Sequence, residues 1–278
     1  MSLVVVRVLG LVTVQDGGRP GHMHEGLSPG GALVRSALVA ANRAAGNPDF
    51  APAIEVLGRL IVRAEAPIEV ATDRTPLRVL DGELVIESEP QRATYLAIRG
   101  GVAAPLVLGS ASAQLSAEIG GLLVAGAQID RGHAAHHARA PGSPTATAAS
   151  SGLAPARGGA IRVLPGPDAQ AFAADAVAAL VSAPYRIAPA SDRVGTRLVG
   201  PYIARSFAPD RSRPTVRGAI EVPRDGQPIV LGPEHPTTGG YPIVGTICSA
   251  DLDRFFAIRI GGDVAFEVGH AATSRARS

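Results

Sequence analysis

The sequence contains no lysine, so all 26 of its basic residues are arginine. Without lysine the chain cannot supply a Walker A phosphate loop, a Schiff-base amine or a lysine general base, and such chemistry would need a partner. Cys248 is the only cysteine. It excludes an intrachain disulfide and a cysteine-based zinc cluster, and fits a reducing compartment. Aromatic residues make up only 4% of the chain, so a core has to be assembled from Val, Leu, Ile and Ala. The net charge is +2 despite a pI near 9.1, and no concentrated basic patch with stacking aromatics appears, which argues against a nucleic-acid partner. HExxH and CxxC are also absent, which removes the standard zincin reading.

What is present is enough for a folded globule. The chain has 278 residues, 46% of them apolar, sufficient for one large domain or two ordinary ones. Its 33 glycines and 23 prolines are scattered between short apolar runs, a spacing that predicts many short strands joined by turns. The opening run MSLVVVRVLGLVTVQ carries Arg7 inside it and ends in Gln15-Asp16. It has neither the layout of a signal peptide nor the length of a membrane span, and reads as a strand pair in a cytoplasmic protein without a membrane segment.

Residues 1–132 contain strand-like runs at LVVVRVL, AIEVL, RLIVRA, PIEVA, ELVIES and TYLAI. One helix interrupts them, with Ser28 as its cap, Pro29 at its first position, Leu33, Leu38 and Ala41 on one face, and Gly46-Asn47 as the stop. Residues 133–159 are small, polar and poor in large apolar side chains, and read as a linker or long surface loop. Residues 160–278 begin with the strand AIRVLPG. A helix follows, with Asp168 in its first turn and Phe172, Ala176, Ala179 and Leu180 as its apolar stripe, then strands at GAIEV, QPIVL, PIVGTI, FFAIRI and DVAFEV. The fold class expected is mainly β, barrel-like, in two parts with a few short helices.

Three segments set polar side chains among glycines. In QDGGRPG, Gln15, Asp16 and Arg19 surround Gly17-Gly18, which fits either a converging polar cradle or an Asp-Gly hairpin turn with a local Asp-Arg pair. In SDRVGTRLVGP, Asp192, Arg193 and Arg197 flank Gly195, and the paired arginines suit a carboxylate or phosphate ligand as well as an intramolecular carboxylate. In TTGGYPIVG, Thr237, Thr238 and Tyr241 supply hydroxyls beside Gly239-Gly240, either to hold an anion on backbone donors or to turn between two strands. The histidines of HAAHH, His133 and His137, have helical spacing but no following glutamate, and His22-Met23-His24-Glu25 is no better as a ligand set, so no metal site is expected.

Taken in order, TVQDGGRPG, GGALVRSALVAANRAAGNPDFAPAIEV, YLAIRGGVAAPLVLGS, SDRVGTRLVGP, GAIEVPRDGQPIVL and TTGGYPIVG resemble the biotin-dependent carboxyltransferase-like family, which includes the C subunit of bacterial 5-oxoprolinase, the KipA proteins and allophanate hydrolase subunit 2. The resemblance runs from about residue 8 to residue 268. It implies cyclophilin-like β-barrels, a companion B subunit of KipI type and, in oxoprolinase forms, an A subunit of LamB/YcsF type. The activity it implies is ATP-driven opening of 5-oxoproline to L-glutamate, with ATP entering through the complex and no covalently bound biotin. The alternatives are a KipA-like regulatory protein that binds a KipI-like chain, and the carboxyltransferase half of a urea carboxylase.

The positions that carry the resemblance are Gln15, Asp16, Arg19, Asn42, Asn47, Glu55, Ser191, Asp192, Arg193, Arg197, Thr237, Thr238, Gly239, Gly240 and Tyr241. Of these, Asp16, Arg19, Asp192, Arg193 and Arg197 are the catalytic candidates, the arginines binding anionic oxygen and an aspartate orienting them. Gln15, Asn42, Thr237, Thr238, Gly239, Gly240 and Tyr241 are the substrate-binding candidates. The chain departs from the family pattern at Leu33-Val34, at Glu221 in place of glutamine, at Glu234-His235-Pro236, at Ile243 and at Ala127. Loss of polar groups at several of these positions implies weakened chemistry.

Overall fold

The computed structural model describes residues 1–132, 159–206 and 212–269. The segment read as a linker, with His133 and His137, lies outside these residues apart from Gly159. The chain divides into two compact units, Met1–Leu153 and Ala154–Ser278. Both are mainly β, with barrel-like sheet and few short helices. Among the described residues no helix is long and apolar enough to cross a membrane.

In the first unit β1 (Ser2–Gln15) and β2 (Ala53–Ala64) form a long antiparallel pair. Around them lie β3 (Ile68–Thr72), β4 (Arg78–Leu80), β5 (Glu83–Glu87), β6 (Thr94–Ile98) and β7 (Gln128–Asp130), in the order β4-β3-β6-β2-β1-β7 with β5 also on β2. The expected strand pair at the start is one continuous strand, and AIEVL and RLIVRA are likewise one strand. The reason is that Gly10 and Gly58 face each other inside the ladder, at φ +114 and +118. A Cβ on either would overlap the carbonyl oxygen of Leu57 or Leu9, so these glycines permit close approach of two strands and do not turn the chain. The core beneath is aliphatic, as the scarcity of aromatics requires: Leu3, Val5, Val12, Ile54, Val56 and Leu96 are among its members.

The helix of this unit, α1 (Arg35–Ala44), begins later than expected and is not capped by Ser28. Pro29 and Asp16 give their carbonyl oxygens to the N–H groups of Arg19 and Ala32 (2.7 and 3.1 Å), clipping residues 29–32 to the 16–19 turn. Ser28 Oγ instead accepts from Gln114 Nε2 at 2.8 Å. The expected stop holds: Gly46 takes φ +74, and the N–H of Asn47 reaches the Asn42 carbonyl at 2.8 Å in a Schellman arrangement.

The second unit contains β8 (Ile161–Pro165), β9 (Tyr185–Ile187), β10 (Gly195–Val199), β11 (Arg213–Pro214), β12 (Ala219–Glu221), β13 (Ile229–Leu231), β14 (Thr238–Gly239), β15 (Ile243–Ile247), β16 (Asp263–Val264) and β17 (Phe266–Val268). Eight of them form one sheet in the order β16-β9-β10-β13-β12-β15-β8-β17, and β11 pairs only with β14. The helix expected from Asp168 onward is broken into a 3-10 turn, Ala169–Ala171, and α2 (Ala176–Val181). Phe172 between them is extended and bridges to Arg205, while the Asp168 carboxylate is taken by the Ile243 N–H at 2.9 Å and by Arg213 at 2.5 Å. FFAIRI is not a strand either. Its first half lies in α3 (Leu252–Ala257), because adjacent Phe255 and Phe256 are both buried, one stacked on Phe266 and the other under the Arg217 guanidinium at 4.8 Å. A strand would send two neighbouring side chains to opposite faces.

Candidate functional site

Gln15, Asp16, Arg19 and Asn42 belong to the first unit, and Asp192, Arg193, Arg197 and residues 237–241 to the second. The first set is internal bracing. Asp16 accepts from the N–H of Gly18 and Ala111, both at 2.7 Å, and from the hydroxyls of Ser110 and Ser112 at 2.6 and 2.5 Å. Arg19, 1% exposed, donates to Gln114 Oε1 at 3.0 Å, to the Ser112 carbonyl at 2.5 Å and to the Val107 carbonyl at 3.3 Å. Gln15 donates to Thr13 and to the Ala113 carbonyl, each at 3.0 Å, and Asn42 to the Ala51 carbonyl at 2.8 Å. Asn47 bonds to Asn42 and to the Ile98 carbonyl, and Glu55 accepts from the Tyr95 hydroxyl at 2.6 Å and the Leu33 N–H at 2.7 Å. These residues hold the loops around residues 16–34 and 107–114 against the sheet.

Of the second set, Asp192 and Arg197 line a recess of about 150 Å³, together with Gly195, Glu221 and Pro236 and the apolar side chains of Ile229 and Leu231. Sheet register builds it. Arg197 on β10 and Glu221 on β12 each lie opposite Ile229 on β13, so the three share one face of the sheet. Two strand spacings put the Cα atoms of Arg197 and Glu221 roughly 10 Å apart. Gly195 is bare because a Cβ there would meet Ile229 Cγ2 at 2.7 Å.

The two arginines of SDRVGTRLVGP have different fates. Arg193 is buried in an ion pair with Glu234, Nε to Oε1 at 2.5 Å, which is the intramolecular alternative left open by the sequence. Asp192 uses Oδ1 to accept from the N–H of Val194 and Gly195 at 2.9 and 2.8 Å, shaping the turn. Ser191 Oγ accepts from the Arg197 N–H at 3.0 Å and so fixes that residue's backbone. The Arg197 side chain is exposed and makes no ion pair or hydrogen bond among the described residues.

TTGGYPIVG is a strap. Thr238 and Gly239 pair with Pro214 and Arg213, and the Thr237 carbonyl accepts from the Thr215 N–H at 3.1 Å. Neither Gly239 nor Gly240 lies in the left-handed region, so the motif is not glycine-rich for the sake of a turn. Gly239 is bare because Glu221 Oε1 lies where its Cβ would be. Gly240 and Tyr241 face open space, Tyr241 being exposed.

Glu221 is the residue that sequence reasoning undervalued. It is 5% exposed, and Oε1 has no hydrogen-bond partner among the described residues. A register shift between Ile220 and Glu221 on the β15 side marks a bulge, a device that re-aims a side chain. Burial pushes its carboxyl up to about 7. The available signal was local: AIEVP places one acid between apolar residues ahead of a proline, where a solvated strand end would need no such burial. His235, close by in sequence to the strap, contacts Thr215 Oγ1 through Nδ1 at 3.0 Å, and burial pushes its pKa down, which keeps it neutral.

Residues 75–268 match the carboxyltransferase domain, subdomain A and B. The chain belongs to this family. Within it, the C subunit of 5-oxoprolinase from Escherichia coli (strain K12) is 34% identical over 291 residues, covering 95% of this chain and 90% of that protein. The crystal structure of TTHA0988 superposes with a TM-score of 0.78 at 28% identity over 96% of this chain. The present chain spans little more than half of TTHA0988, 55% of its length. The urea amidolyase of K. lactis aligns with a TM-score of 0.80 over 97% of this chain and 19% of its own, at 20% identity, which establishes a shared fold. Of the family departures, Glu221 and Glu234 retain polar roles: Glu234 closes the Arg193 pair, and Glu221 faces the recess.

Proposed function

We propose that this chain is the C subunit of an ATP-dependent 5-oxoprolinase, which together with a B subunit of KipI type plus an A subunit of LamB/YcsF type opens 5-oxo-L-proline to L-glutamate in the cytoplasm. The observation that carries this reading is the 34% identity to the C subunit of 5-oxoprolinase across 95% of the chain and 90% of the relative. The recess is consistent with it. A small lactam carboxylate needs a cation for its carboxylate, and Arg197 presents an uncommitted guanidinium, able to donate two parallel hydrogen bonds, at the mouth of a cavity with an apolar floor. ATP would be handled elsewhere in the complex, since the chain has no lysine for a phosphate loop. Covalent biotin would also require a lysine amine. The urea carboxylase alternative rests on fold alone.

The test is ATP-dependent glutamate release from 5-oxo-L-proline by this protein together with its own B and A partners, each omitted in turn. Release that needs all three is expected. An intact complex that releases no glutamate would overturn the enzymatic reading in favour of a regulatory binding protein.

A further inference from the structure

The recess is lined by a carboxyl group that nothing else in the chain satisfies. Glu221 is almost fully buried, its side chain makes no ion pair or hydrogen bond among the described residues, and Oε1 is shut off from solvent. A buried polar atom without a partner is costly, and native chains rarely carry one without a use. The surroundings preserve it. The strap has glycine where a Cβ would collide with Oε1, and the register shift in β12 re-aims the side chain relative to the ladder with β15. The recess, about 150 Å³, has room for a small ring.

The charged and titratable groups on the elements around Glu221 are engaged elsewhere. Arg193 is paired with Glu234 and Arg213 with Asp168. Arg217 lies over Phe256 and pairs with Asp253 at 3.6 Å, and Arg205 donates to the Val222 carbonyl at 3.2 Å. Asp192 accepts from the N–H groups of its own turn, burial keeps His235 neutral, and Arg224, Asp225 and Tyr241 are exposed. The neighbouring strands β13 and β15 carry no charged residue. Glu221 therefore has no counter-ion, and burial alone pushes its carboxyl up to about 7. On the face that it shares with the recess, Arg197 is left to meet an anion.

A carboxyl group that keeps its proton offers one donor and one acceptor along a single edge. Glutamine, the residue of the family pattern at this position, does the same, whereas a carboxylate only accepts. The complement of such an edge is an acceptor and a donor side by side. Open-chain amides are trans, with C=O and N–H pointing apart, and only the cis amide of a small ring presents both together. We propose that protonated Glu221 is the specificity-determining contact of the recess, donating to the carbonyl and accepting from the N–H of a lactam whose carboxylate is held by Arg197. The identity of the lactam comes from the oxoprolinase reading, on which this assignment rests, and no step of the ring opening is required of Glu221. Once the proton is lost, the donor is gone and two acceptors confront the lactam carbonyl, so affinity falls as pH rises through about 7. Glutamate in place of glutamine thus keeps the pairing and adds a pH dependence.

The experiment is calorimetric titration of the assembled complex with 5-oxo-L-proline, without ATP. From about pH 6 to about pH 8 the dissociation constant should rise about 10-fold, since Arg197 and the carboxylate of the lactam keep their charges across this window. Glu221→Gln should match the wild type at the lower pH and hold that affinity at the higher. Glu221→Leu should bind about 10-fold or more weakly at the lower pH, and so should the wild type with the lactone analogue, in which a ring oxygen replaces the N–H. Arg197→Ala should weaken binding by about 10-fold or more at both pH values and leave the pH dependence in place.

A wild-type affinity that ignores pH, or a Glu221→Gln complex that keeps the wild-type fall, would overturn the role of Glu221 while leaving the oxoprolinase reading intact. Equal affinity for lactam and lactone would overturn the paired edge. Binding with the expected pH dependence, by a complex that releases no glutamate once ATP is added, would overturn the oxoprolinase reading and keep the site. No binding of the lactam at either pH would overturn the site itself, and glutamate release by the same complex then shows whether the oxoprolinase reading falls with it.

Discussion

Gly239 and Glu221 stand in direct apposition: a Cβ on the glycine would overlap the carboxyl Oε1. This relation joins the strap to the floor of the recess, and it ties a glycine-rich motif to one buried acid.

Gly239→Ala should displace that carboxyl. The methyl would also press on Thr215 Cγ2, at 2.9 Å, so the loss of stability should be about 1–3 kcal/mol, typical of overpacking. Gly240→Ala, which meets nothing within 4 Å, should leave the melting temperature unchanged. Equal melting shifts for the two variants would contradict the apposition.

Stability should fall between acid and neutral pH because of Glu221. Its carboxyl ordinarily titrates at 4.5 and in the folded chain is pushed up to about 7, so the folded state binds this proton more tightly. The contribution is whole below about 4.5 and is lost as pH rises through about 7, on the order of 3 kcal/mol at most. Denaturant titrations of the wild type and Glu221→Gln across this window should diverge toward higher pH, with the variant lacking the decline. Parallel curves would show that burial does not govern this carboxyl.

Asp251 has the opposite sign. Hydrogen bonds from the Arg162 guanidinium, with further help from Arg254, hold its carboxyl down to about 2 against an ordinary 3.8. Its contribution is present above about 3.8 and is lost as pH falls through about 2, worth about 2 kcal/mol. Arg162→Ala should therefore bring acid unfolding to a higher pH. No change in the acid midpoint would remove this clasp between β8 and the segment leading into α3 from the account of stability.

The Arg193–Glu234 pair predicts a double-mutant pattern. Arg193→Ala leaves a buried carboxylate facing an emptied site and should cost about 3–5 kcal/mol, whereas Arg193→Met combined with Glu234→Leu should recover most of it. Chemical denaturation of the wild type, the two single variants and the double variant measures the coupling. If Arg193→Ala lowers turnover without lowering stability, the arginine acts on ligand after all.

Much of the fold follows from pattern alone. Period-two apolar runs with Gly and Pro between them mark the strands, the Gly46-Asn47 pair marks the end of α1, and the scarcity of aromatics dictates an aliphatic core, because each depends on composition or on residues adjacent in sequence. The family, too, is legible as an ordered series of short motifs. The misread elements depend on distant partners. Ser28 does not cap a helix because Gln114, far along the chain, takes its hydroxyl, and Gly10 does not turn because Gly58 opposes it. Within SDRVGTRLVGP, Arg193 and Arg197 carry the same chemistry, and only the position of Glu234 decides that the first is a brace and the second faces the recess. Glu221 makes the same point from the other side. Its sequence determined that an acid stands there, whereas its loss of solvent, its unpartnered oxygen and its elevated pKa come from β13, β15 and the 238–239 strap, because desolvation is a property of what surrounds a group in space.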